Sequence, residues 1–162
     1  MAIPEESFLL LSGVPATGKS TFGRYLAREH GFAHYDLECH PRGWPHPDLK
    51  AAWEVSRQAF VAQLKQRHKR VALDWGFPVH CLPMVDELCA QGLRLIWFDG
   101  HRGRARAVFQ ERGGLALTAF DAQVSAIDQA GYPASLNCVV VQALSAKGTF
   151  MKSRTIERRV FP

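Results

Sequence analysis

A three-layer α/β/α sandwich around a five-stranded parallel sheet is the fold class this sequence predicts, and three observations lead to it. Short runs that are apolar at nearly every position recur along the chain, as strands buried on both faces require. Stretches with apolar residues at three-to-four spacing separate those runs, so strands alternate with helices. A glycine-containing turn joins the first apolar run directly to the first helical stretch.

Each element has its own justification. Phe8 to Ser12 (FLLLS) is the first strand, apolar throughout. A helix follows from Lys19 to about His30, with Phe22, Tyr25, Leu26 and Glu29 at helical spacing and Gly31 as its stop. Ala33 to Asp36 is a short second strand. Cys39 to Pro47 holds three prolines and a glycine and reads as a loop. Asp48 caps a helix expected to reach about His68, with the stripe Leu49, Trp53, Ser56, Phe60, Leu64. Its end is basic (Lys65, Arg67, Lys69, Arg70), which suits the negative end of a helix dipole. Val71 to Trp75 is the third strand, broken by Gly76, Phe77 and Pro78. A helix near Leu82 to Gln91 leads into a fourth strand, Leu93 to Phe98. The basic stretch Asp99 to Arg112 reads as a loop entering a helix, and Thr118 to Gln129 as a helix. Asn137 to Ala143 (NCVVVQA) is the fifth strand, and Ser153 to Phe161 a closing helix.

Composition narrows the function. The 162 residues carry 20 Lys plus Arg against 15 Asp plus Glu, a net charge of +5. That length suits one domain, taken as residues 1–162, with a core of its own. No run approaches the roughly 20 apolar residues that span a bilayer, so no membrane role is expected. MAIPEES lacks the basic start and apolar run of a signal peptide. Cys39, Cys81, Cys89 and Cys138 form no CxxC pair, and a reduced, cytoplasmic setting is expected. The charge favours anionic partners without choosing among nucleotides, phosphates and nucleic acid.

Residues 13 to 20 read GVPATGKS, which matches GxxxxGK[ST], the phosphate-binding loop. Gly13 and Gly18 permit backbone angles and approaches that a side chain blocks. The successive N–H groups of Val14, Pro15's neighbours Ala16 and Thr17, and Gly18 then form an anion nest at a helix start. Lys19 brings an ammonium to the β- and γ-phosphates, the Ser20 hydroxyl can ligate Mg²⁺, and Thr21 assists at the helix start. ATP and Mg²⁺ are therefore the expected cofactors. A GTPase would add an Asn-Lys-x-Asp guanine reader and an Asp-x-x-Gly switch, and both are missing. Ser145-Ala146-Lys147 is similar to a GTPase base loop but stands without that reader.

With these features placed, the chain resembles the adenylate-kinase-like P-loop phosphotransferases, a group that includes gluconate and shikimate kinases, chloramphenicol phosphotransferase, zeta toxins and polynucleotide 5′-hydroxyl kinases. The resemblance implies a P-loop NTPase fold with the third strand beside the first. It implies an acidic residue after the second strand as base or metal ligand, which maps to Asp36 with Glu38 as the alternative. It implies a metal-side aspartate at the end of the third strand, here Asp74, and a lid of arginines near 99–115, here Arg102, Arg104, Arg106 and Arg112. Arg102 and Arg106 rank first among these. Ala16 departs from the glycine that many members carry.

The chemistry fits those roles. Phosphoryl transfer needs positioning and charge neutralisation, with a carboxylate near the attacking hydroxyl. Asp36 ends a strand, where open α/β sheets form their crevice. Arginine's planar fork matches developing phosphate charge. The loop after Asp36 is the expected acceptor region, with Arg42 and Trp44 as its equipment beside His40 and His46. Cys39, His40 and His46 lack a fourth ligand at zinc spacing. Trp75 and Phe77 can wall an acceptor pocket. The expected function is transfer of the γ-phosphate of ATP to a hydroxyl of a small molecule. The alternatives are a polynucleotide 5′-hydroxyl kinase or RNA-binding module, suggested by the Lys65–Arg70 cluster and the basic tail (Lys152, Arg154, Arg158, Arg159), and a toxin-type kinase or nucleotide sensor.

Overall fold

A strand whose side chains are apolar on both faces must be covered on both faces, and this demand sets the architecture. The computed structural model describes residues 2–39 and 47–162. Strand β1 (Ser7–Gly13) is buried at every position. Phe8 and Leu10 enter the core on one side of the sheet, Leu9 and Leu11 the core on the other. The remaining strands are β2 (Ala33–Asp36), β3 (Arg70–Asp74), β4 (Arg94–Gly100) and β5 (Val139–Leu144). All pair in parallel in the order β2-β3-β1-β4-β5, with β3 beside β1. The chain winds away from β1 in both directions, so a crevice opens at the carboxyl ends beside β1.

Helices α1 (Lys19–His30) and α7 (Ser153–Val160) cover one face, with Phe22 and Leu26 against Ile156 and Val160. Phe22 and Leu26 are wholly buried, each burial contributing roughly 1.5–3 kcal/mol. Gly31 ends α1 at φ 68°, a left-handed turn that only glycine adopts at little cost. Helices α2 (Pro47–Val55), α3 (Arg57–Arg67) and α4 (Leu82–Ala90) cover the other face through Leu49, Phe60, Leu64, Val85 and Leu88. Helix α5 (Arg102–Arg112) stands beside α6 (Leu117–Gln129), joined by the Phe109 and Phe120 rings at 5.3 Å. Among the described residues no helix is long and apolar enough to cross a membrane.

Two elements differ from expectation. The helix expected over 48–68 is two helices, because Ser56 adopts an extended backbone and its hydroxyl accepts from the Ala59 N–H at 3.0 Å. Ser56 is thus the N-cap of α3 rather than part of a continuous stripe. The basic stretch after β4 is helical from Arg102, with His101 as the cap whose Nδ1 accepts from the Arg104 N–H. Asp48 lies inside the first turn of α2, one residue past its start.

Candidate active site

The turn between β1 and α1 is built from its own backbone. Gly13 has φ 129°, and a Cβ there would overlap the Phe98 carbonyl, to which the Val14 N–H donates at 2.9 Å. Gly18 has φ 96° and Ala16 φ 60°, Ala16 being the only non-glycine residue at positive φ among those described. The Thr17 hydroxyl donates to the Val14 carbonyl at 2.7 Å. Lys19, 6% exposed, lays its ammonium across the same carbonyl at 3.1 Å. The loop therefore curls around its own cation, with the first amides of α1 aimed into the crevice.

A cavity of about 680 Å³ opens on this turn. Pro15 through Thr21 line it, together with Asp36, Glu38, Val108, Phe109, Arg112, Leu115, Phe150 and Met151. Asp36 ends β2 and pairs in register with Asp74 on β3. Its Oδ1 accepts the Glu38 N–H at 2.9 Å, and the Glu38 Oε1 accepts the Gly76 N–H. Two carboxylates are thus fixed beside the phosphate loop by backbone donors.

Beneath them lies Asp74, with no exposed surface. Its Oδ2 accepts from the Ser20 hydroxyl, and its Oδ1 has no hydrogen-bond partner. A buried carboxylate with an orphaned oxygen is costly unless another positive or donor group joins it. Ser20 and Asp74 could offer the one or two oxygen ligands that Mg²⁺ takes from protein when phosphates and water complete its shell, so these residues fit that ion. No cluster of three or more His, Cys, Asp or Glu side chains that could hold a metal exists among the described residues.

His34 is a neighbour that sequence reasoning missed. Its Nε2 lies 3.5 Å from Asp74 Oδ2 and has no hydrogen-bond partner. Gly23 on α1 makes room, since a Cβ there would overlap the His34 ring. The signal was present: His34 and Asp36, two apart on a strand, leave on one face.

The arginines fall differently from their expected rank. Arg102 pairs with Asp99 and with Asp128 at 3.0 Å; Arg106 pairs bidentately with Asp121 at 2.9 and 3.1 Å. Burial works against the charge of Arg102, but Asp99 and Asp128 outweigh it and raise its pKa. Asp121 likewise raises that of Arg106. Both arginines border a separate cavity on the α5–α6 side, so the structure does not bring them to the loop. Helical phase is the reason: Arg112 is ten positions after Arg102 and six after Arg106, which puts it on another face of α5. Arg104 donates to the Ala146 carbonyl at 2.9 Å, in the turn after β5. Arg112 and Arg24 are the guanidinium groups that line the phosphate-loop cavity, and neither is in an ion pair among the described residues. Arg24 was not anticipated, although it follows Ser20 by one helical turn. Arg42 and Trp44, with His40 and His46, lie outside the described residues, so the acceptor role expected of them stays without a structural description.

The sequence matches no known protein-family model and no curated protein. Solved structures do match in shape. A gluconokinase from Sinorhizobium meliloti 1021 aligns at TM-score 0.59 and 13% identity, covering 97% of this chain and 90% of its own. A shikimate kinase from Bacteroides thetaiotaomicron aligns at 0.59 and 14%, covering 96% and 94%. A deoxyadenosine kinase from M. mycoides, solved with bound dATP, aligns at 0.54 and 12%, covering 96% and 100%. The chain has the α/β fold of the P-loop small-molecule kinases. At these identities the likeness is one of fold alone.

Proposed function

We propose that this protein is an ATP-dependent kinase that transfers the γ-phosphoryl group to a hydroxyl of a small molecule. The observation that carries the reading is the Ser20–Asp74 pair, buried at the foot of the phosphate loop with one carboxylate oxygen unsatisfied.

In this reading Gly13 through Thr21 cradle the triphosphate, and Lys19 leaves the Val14 carbonyl to meet the β- and γ-oxygens. Ser20 and Asp74 would hold Mg²⁺, whose chemistry when bound is charge neutralisation of the phosphates. Asp36 and Glu38 stand where an acceptor hydroxyl would arrive, and one of them takes its proton as the new P–O bond forms. Arg112 and Arg24 replace Arg102 and Arg106 as the cations that balance the transferring group. Leu115 and Phe150, exposed apolar side chains lining the cavity, offer cover for the base.

The nucleic-acid reading has less support. Lys65 donates to the Gln91 carbonyl at 2.8 Å, Lys69 pairs with Glu5, and Arg67 pairs with Asp48. Arg70 donates to the carbonyls of Ile3, Pro4 and His30. These contacts occupy the Lys65–Arg70 cluster with structural partners.

The test is calorimetric titration with Mg-ATP followed by ADP measurement over a panel of hydroxylated acceptors. Saturable nucleotide binding that Lys19→Ala abolishes, with acceptor-stimulated ADP release, supports the reading. No binding of Mg-ATP by the wild type overturns it.

A further inference from the structure

A second cavity, of about 510 Å³, lies beside the phosphate-loop cavity. Glu38 lines both. Its Oε1 is fixed by the Gly76 N–H, two residues beyond the buried Asp74. The second cavity is therefore next to the proposed site of phosphoryl transfer, and one carboxylate joins the two spaces.

Its walls are aromatic and apolar. Trp53 on α2 and Trp75 after β3 meet edge to face, with ring centroids 5.5 Å apart at 88°. Phe77 braces Trp75 from the core at 5.8 Å. The Arg57 guanidinium lies 4.2 Å from the Trp53 ring centroid and holds that ring in place. Leu37, Pro78 and Met84 complete the apolar lining. A rigid aromatic wall rewards a flat ring, because stacking needs a planar partner and pre-organised side chains lose little entropy on binding.

The charges limit the ligand further. Among the described residues the charged groups at this cavity are Glu38, Glu54 and Lys50. Lys50 is already paired with Glu54 at 2.6 Å. The balance is one net negative charge, carried by Glu38, so a carboxylate-bearing acceptor would meet repulsion and find no free cation among these residues.

We propose, building on the kinase reading above, that the acceptor is a non-anionic alcohol carried on a flat ring, seated by Trp53, Trp75 and Met84 with its hydroxyl toward Glu38. In the transfer, the hydroxyl oxygen forms a bond to the γ-phosphorus and the bond from that phosphorus to the β–γ bridging oxygen breaks. The hydroxyl proton passes to the Glu38 carboxylate. The products are ADP and a phosphate monoester of the ring alcohol.

The full chain with Mg-ATP is offered neutral nucleosides, the cationic aryl alcohol 2-amino-1-phenylethanol, gluconate and shikimate. ADP release and product mass are read, together with calorimetric binding of ATP. A ring alcohol is expected to raise ADP release about tenfold over ATP alone and to gain one phosphoryl group, with the acids inactive. Met84 is 38% exposed, so Met84→Ala should fold; it is expected to raise KM for the ring alcohol about fivefold and leave KM for ATP unchanged. Preference for gluconate or shikimate, no transfer to any ring alcohol by protein that binds ATP, or an unchanged acceptor KM in Met84→Ala overturns the acceptor assignment alone. Failure to bind ATP overturns the kinase reading beneath it.

Discussion

Asp74 has no exposed surface and one oxygen without a donor, so it is held at a cost that the fold itself does not require. Stability and activity should therefore separate at this residue. Asp74→Asn is expected to raise the unfolding free energy by about 1 kcal/mol, since it removes a wholly buried carboxylate that has one oxygen without a donor. The same change is expected to lower kcat by about a hundredfold or more, because the metal-side carboxylate is gone. Thermal melts and steady-state kinetics on one preparation check both; a lower melting temperature would mean that Asp74 is held by a structural partner, with His34 the nearest candidate. Gly13 gives the opposite case. Its positive φ and the Phe98 carbonyl leave no room for a Cβ, so Gly13→Ala should cost about 3 kcal/mol or more, read by denaturant unfolding.

At the scale of elements, α5 decides which arginine faces the nucleotide. Its sequence offers four within eleven residues, and composition alone ranks none of them. Packing of Ala105 and Phe109 against Phe120 sets the rotation of the helix, which turns Arg102 and Arg106 toward Asp128 and Asp121 and Arg112 toward the loop. Arg112→Ala should lower kcat by about a hundredfold, a loss at least ten times larger than that from Arg106→Ala. Equal losses would place the catalytic arginine elsewhere on α5. The break between α2 and α3 makes a second element-scale case. Ser56→Ala removes the hydroxyl that accepts from Ala59, with an expected loss of about 1 kcal/mol and a fall of about 2–4 °C in melting temperature.

For the whole molecule, acid is the revealing variable. Glu157 on α7 is held below its ordinary value of 4.5 by the Tyr25 hydroxyl first, and then by His30, both on α1. Its folded pKa is lower than its unfolded one, so its contribution is complete above about pH 4.5 and is lost as pH falls through the folded value. Arg67 lowers Asp48 and Arg106 lowers Asp121 in the same direction, though both pairs are exposed and contribute little. Melting temperature should therefore fall with pH below about 4.5, and Glu157→Gln should flatten that fall. The strands and the phosphate loop were legible because burial on both faces and the GxxxxGK[ST] spacing are local signals, whereas the third strand's place beside the first was implied only by the resemblance to the P-loop phosphotransferases. The spacing puts His34 on the same strand face as Asp36 and Arg24 one turn after Ser20, but that these side chains border the site, and how α5 is rotated, depend on which side chain meets each across the fold.

The sequence by itself determined the alternation of strands and helices, the anion-binding turn of Gly13 to Thr21 and the class of ligand that turn can hold, since backbone sterics and periodicity act over a few neighbouring residues. Tertiary structure decided that Ser20 meets Asp74, 54 positions further along the chain, that Arg112 rather than Arg102 faces the loop, and that Glu38 stands between two cavities. Those relations come from helices packing against the sheet at fixed rotations, and a contact between distant residues leaves no periodic trace in the chain that makes it.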